Sequence, residues 1–191
     1  MLPLTFLAAL LLFTLIAMIP RRASAHCDTE NGPAVNDGRK ALETGNVNHA
    51  LKWIFPEGEA ELRPIFDKAV RVRALGAEAA EVADRYFLEN LVRIHRAGEG
   101  ASYDGIKPTG TVLDPRVVAA DQAMENGELK PLLALIPADK HAELQRRFDK
   151  ARALQQFDVD DVAAGRAYIA AYVSFFKYAE GEEHDHGHHH H

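Results

Sequence analysis

PAVNDGRKALETGNVNHALKWI, residues 33–54, aligns without gaps onto PRVVAADQAMENGELKPLLALI, residues 115–136, and this pair decides the fold. The offset of 82 residues matches Val35 with Val117, Ala41 with Ala123, Gly45 with Gly127, Leu51 with Leu133 and Ile54 with Ile136. The register persists through AELRPIFDKA from Ala60 and AELQRRFDKA from Ala142. It returns at an offset of 81 in RYFLENLVRIHRAGEG from Arg85 against RAYIAAYVSFFKYAEG from Arg166. Self-similarity at one period that keeps the apolar positions signals duplication of one packing unit.

Each unit reads as three helices. The first, over about 34–54, is interrupted at Gly45, which splits it into two short segments, and Pro56 ends it. The second runs from about Glu59 to Leu75 with Leu62, Ile65, Phe66, Ala69, Val70 and Val72 on or near one face. The third runs from Ala77 to Ala97 with Val82, Tyr86, Leu88, Leu91, Val92 and Ile94 as its apolar positions. No stretch alternates with strand period, so an all-α helical bundle built from two duplicated three-helix units follows. The units span 33–97 and 115–179 and form a single globular domain, with 98–114, rich in Gly and Pro, as the linker. Trp53, Phe66, Phe87, Phe148, Tyr168, Tyr172 and Phe175 read as core packing.

Ahead of the first unit, residues 2–19 (LPLTFLAALLLFTLIAMI) are apolar or small, and Pro20 with Ala23, Ser24 and Ala25 supplies the break and A-x-A pattern of a secretory cleavage site. Residues 1–25 read as a signal peptide, which predicts a periplasmic or secreted protein with no membrane insertion after cleavage; an uncleaved anchor is the alternative. Loss of Arg21 and Arg22 with the leader takes the formal net charge from −6 to −8, which argues against nucleic acid and anionic membrane as partners. A homo-oligomer stays open.

Cleavage after Ala25 makes His26 the first residue and Cys27, the only cysteine of the chain, the second. That dipeptide then offers a free amine, an imidazole, an amide nitrogen and a thiolate, which close fused chelate rings around one metal. Nitrogen and sulfur donors in a plane suit nickel or copper(II), and the thiolate also suits copper(I) or zinc. Amine and thiol are partly protonated at neutral pH, so the metal displaces protons as it binds.

The stretch HCDTENG, residues 26–32, resembles the metal hook of nickel-type superoxide dismutase, which also begins His-Cys-Asp after proteolysis and has glycine in seventh place. That resemblance implies His26 and Cys27 as ligands on a helical bundle. Asn31 stands where the family has its second thiolate, and Glu30 and Ala34 replace the hook's usual proline and tyrosine. Over its full length the chain is also similar to an uncharacterised family of secreted bacterial helical proteins that begin with the same HCDT segment.

Comparison of the two copies adds candidates. His95 faces Phe176 in the alignment and Glu89 faces Ala170. His95 shares a helical face with Leu88, Leu91 and Val92, so it points inward and is a candidate metal ligand, with a satisfied core histidine as the other reading. Glu89 reads as part of a solvated salt-bridge row with Arg85 and Arg93, and His49 and His141 as surface residues. The tail, residues 180–191, adds His184, His186, His188, His189, His190 and His191 among carboxylates, a flexible segment that gathers nickel, zinc or copper at modest affinity. HDHG ahead of the last four histidines favours a native tail over a purification tag.

No GxSxG, HExxH, CxxC or phosphate-loop motif occurs. The reading is an exported metal-binding protein, capturing nickel or copper with an amino-terminal His-Cys hook and a His-rich tail. Alternatives are a superoxide-dismutase-like redox enzyme at the same hook, and a metal-free helical interaction module. Catalysis and catalytic residues stay open.

Overall fold

The computed structural model describes residues 26–181, so the leader and the tail histidines 184, 186 and 188–191 lie outside the described residues. The described chain is all-α. Its first half runs α1 (Pro33–Thr44), α2 (Asn48–Leu51), a 3-10 turn (Pro56–Gly58), α3 (Glu59–Arg73) and α4 (Ala77–Gly98). Its second half runs α5 (Pro115–Asn126), α6 (Lys130–Leu133), a 3-10 turn (Ala138–Lys140), α7 (His141–Leu154) and α8 (Val162–Glu180). Through the start of α7 each element begins 82 residues after its counterpart. Each half has four helices, the first of the three expected being cut in two at the expected glycine.

The cut has a backbone cause. Gly45 and Gly127 end α1 and α5 at φ +69° and +81°, the left-handed conformation that closes a helix and that glycine adopts without a Cβ penalty. Pro33 and Pro115 open the same two helices at positions where no amide hydrogen is needed. Asp114 and Asp161 cap α5 and α8 by accepting from the amides of Arg116 at 2.8 Å and Ala164 at 2.9 Å.

In each half the two long helices pack on one another, α3 on α4 and α7 on α8, and the leading helix crosses the last. At Gly38 a Cβ would lie 2.6 Å from Leu88 Cδ2, so α1 approaches α4 closer than any side chain allows. Leu51, Leu62, Phe87, Leu91, Leu132, Leu144 and Phe175 are fully buried, each worth about 1.5–3 kcal/mol of transfer free energy. Trp53, Phe66, Phe148 and Tyr172 are buried with them, whereas Tyr168 is half-buried.

Three expected core positions are corrected. Val82 and Tyr86 are 69% and 45% exposed, because α4 buries the stripe Ala83, Phe87, Leu88, Leu91, Val92, Ile94 and His95, and residues 82 and 86 lie one position off it. Val70 is exposed as well. The expected Arg85–Glu89 pair forms, but Arg93 turns instead to Glu61 and Asn90. Among the described residues no helix is long and apolar enough to cross a membrane.

Candidate functional site

Residues 26–32 coil into a turn. The Thr29 hydroxyl donates to the His26 carbonyl at 3.1 Å, and the Gly32 amide donates to the Thr29 carbonyl at 2.8 Å. At Gly32 a Cβ would lie 2.3 Å from the His26 oxygen, so a side chain there would force the coil open. The linker holds the turn from outside: Lys107 donates its amide to the Asp28 carbonyl at 2.7 Å, and Glu30 donates to the Lys107 carbonyl at 2.9 Å. Ile106, buried, anchors the linker beside it.

So held, the turn sits between the two halves. The His26 ring stacks on Phe176 of α8 with centroids 5.2 Å apart, and its Nε2 meets Oδ2 of Asp121 on α5. Asp121 also accepts from the Tyr172 hydroxyl at 3.1 Å. Toward the first half, Asp28 Oδ2 lies 3.4 Å from Nε of the buried Arg96, while Oδ1 is buried with no hydrogen-bond partner. Burial pushes the Asp28 carboxyl up to about 6 although Arg96 opposes it.

Cys27 is buried between these two contacts. Burial above all, then the carboxylates of Glu99 and Asp28 and, further off, Asp121, push the thiol far above its ordinary value, with Arg96 opposing. Buried in this way, the sulfur keeps its proton and is a poor nucleophile. His26, Cys27, Glu99, Tyr172, Phe176 and Lys177 border a pocket of about 20 Å³, room for one water or one ion.

His95 stands on the other side of Glu99. It is buried, as its helical face requires, and its Nδ1 lies 2.7 Å from the Trp53 carbonyl. A carbonyl only accepts, so Nδ1 carries the hydrogen and Nε2, 3.7 Å from Glu99 Oε2, carries the lone pair of a neutral ring. Burial lowers the imidazole, Glu99 notwithstanding, which keeps it neutral. Burial would raise Glu99, but the partners around it, Lys177 and Arg96 among them, outweigh it and hold the carboxyl below its usual range. Lys177 Nζ lies 3.0 Å from Oε1 and Arg96 Nη1 3.4 Å from Oε2.

The candidate ligands are thus distributed as follows. His26 and Cys27 share one pocket with Glu99, His95 borders the cleft beyond Glu99, and the six tail histidines lie outside the described residues. Among the described residues, no three or more His, Cys, Asp and Glu side chains are arranged to hold a metal. Sequence reasoning missed Asp121 and Tyr172. The repeat carries a signal for both, since Asp121 aligns with Arg39, a reversal of charge, and Tyr172 with Leu91, a polarity change like that of His95 against Phe176.

Fold and site together define an all-α protein of two like-ordered helical halves with its amino-terminal turn buried between them. The chain belongs to the family of unknown function DUF6448, whose model matches residues 31–178. No curated protein and no solved structure matches the chain.

Proposed function

We propose that the protein is an exported metal-binding protein that captures nickel or copper with His26 and Cys27, once cleavage after Ala25 has freed the His26 amine, and gathers further ions on its histidine tail. The observation that carries this reading is the ion-sized pocket shared by His26, Cys27 and Glu99. Two donors of such a hook, the amine and the Cys27 amide nitrogen, come from the backbone, so a cage of three side chains is not required. Burial chiefly holds the proton on Cys27, and the carboxylates of Glu99 and Asp28 that add to it would favour a divalent cation in its place. Titrating the chain that begins at His26 with nickel or copper(II) tests this by ultraviolet absorption. A thiolate-to-metal charge-transfer band saturating at one equivalent, absent in Cys27→Ser, is the expected result; no such band would remove the hook.

A second reading, a metal-free helical interaction module, is favoured by a different observation. His26 on Asp121 and Asp28 on Arg96 tie the turn to both halves through side-chain contacts. On that reading the turn is a latch, and metal leaves stability unchanged.

A further inference from the structure

A cleft of about 360 Å³ opens between α4, α8 and the turn after α2. That is within the range of small-molecule sites. Its walls are apolar, with Trp53, Ile54 and Phe55 on one side and Ile169 and Val173 on the other. Small residues make the space. Ala170 and Ser174 face it from successive turns of α8, and the Phe55 ring lies over Gly98, where a Cβ would come within 2.6 Å of it. Phe55 is 55% exposed, an aromatic ring left at the mouth rather than packed into the core.

The lining carries three cations, Lys52, Arg166 and Lys177, and one carboxylate, Glu99, while Asp37 and Glu59 outside it pair with Lys52 and Arg166. Each cation is tethered from one side. Lys52 Nζ lies 3.0 Å from Asp37, Arg166 donates through Nε to the Ile54 carbonyl at 2.8 Å and through Nη2 to Glu59 at 2.5 Å, and Lys177 Nζ donates to Glu99 at 3.0 Å. An ammonium has three donors and a guanidinium five, so each keeps N–H groups beyond these bonds. The tethers fix the cations at low further entropy cost, which is what a preorganised anion site requires.

We propose that this cleft binds a small organic carboxylate with an apolar body, the body lying between Trp53, Phe55 and Val173 and the carboxylate meeting the cationic rim. The site is separate from the His26–Cys27 pocket, although Glu99, Val173 and Lys177 border both, and it does not depend on metal.

Trp53 is the only tryptophan of the chain, so its emission reports directly on this cleft. The chain from His26, kept in a chelator, is titrated with octanoate and 3-phenylpropionate, and with acetate, octanol and octylamine as controls. Saturable change with the two apolar carboxylates, and none with acetate or octylamine, is expected. Lys177→Met should weaken octanoate binding about tenfold or more, the worth of one charge-assisted hydrogen bond. Ala170→Leu, which fills the apolar wall, should abolish the response with helicity unchanged. Equal response to octanol or octylamine, no saturation by either carboxylate, or wild-type affinity in both variants would overturn the proposal.

Discussion

The imidazole of His26 meets the carboxylate of Asp121 across 95 residues of sequence, and this contact ties the amino-terminal turn to the second half of the chain. Asp121 holds a second group there, the hydroxyl of buried Tyr172. Asp121→Ala should therefore cost about 1–3 kcal/mol, because the phenol hydrogen is left buried without an acceptor. Asp121→Asn, which keeps a carbonyl oxygen at the site, should cost less. Urea unfolding of the two variants checks the order; equal losses would mean that Tyr172 does not depend on Asp121.

Gly32→Ala tests the coil of the turn itself. Its Cβ would meet the His26 carbonyl, so the turn must open or the backbone shift, at about 1–3 kcal/mol. Opening exposes Cys27, whose burial and raised pKa keep the native thiol slow. The rate of thiol modification by a disulfide reagent should rise roughly tenfold or more, in line with the larger open population. An unchanged rate would show that Cys27 is reached by another route.

Acid should weaken the second half through its cap. The Arg116 side chain and amide, bonded to Asp114, hold that carboxyl down at about 2 against an ordinary 3.8. A folded-state value below the unfolded one means the contribution is complete above 3.8 and lost as pH falls toward 2. Asp114→Ala should cost about 1 kcal/mol at neutral pH, and the gap to wild type should close across that window. Thermal unfolding followed from pH 7 downward reads it; a gap that persists below pH 2 would assign the loss to packing instead.

The all-α class was legible because no stretch alternates apolar and polar residues at strand period while apolar positions recur at helical spacing. Gly45 announced its own helix break through a conformation only glycine adopts freely. Val82 and Tyr86 misled because a run dense in apolar residues does not say which stripe faces inward; only the α1 and α3 contacts of α4 decide that. His95 was legible from its neighbours at helical spacing. Asp121 was not singled out and Tyr172 was read only as core packing, since a charge and a phenol on otherwise ordinary helices acquire a further meaning only when His26 folds back onto them. The cleft was invisible for a similar reason: Lys52, Glu99 and Arg166 are far apart in sequence and meet only where the turn after α2, the end of α4 and the start of α8 line one space.

The central claim is that His26 and Cys27 form the tight metal site, and affinity decides it most directly. Nickel and copper competition titrations are run on the chain beginning at His26, on the same chain lacking residues 184–191, on Cys27→Ser, and on a chain with one extra residue before His26. The account predicts that tail deletion removes only weak extra equivalents, whereas Cys27→Ser and the added residue each abolish the tight one, because the hook needs both the thiolate and the free amine. Equal tight binding by all four chains would contradict it.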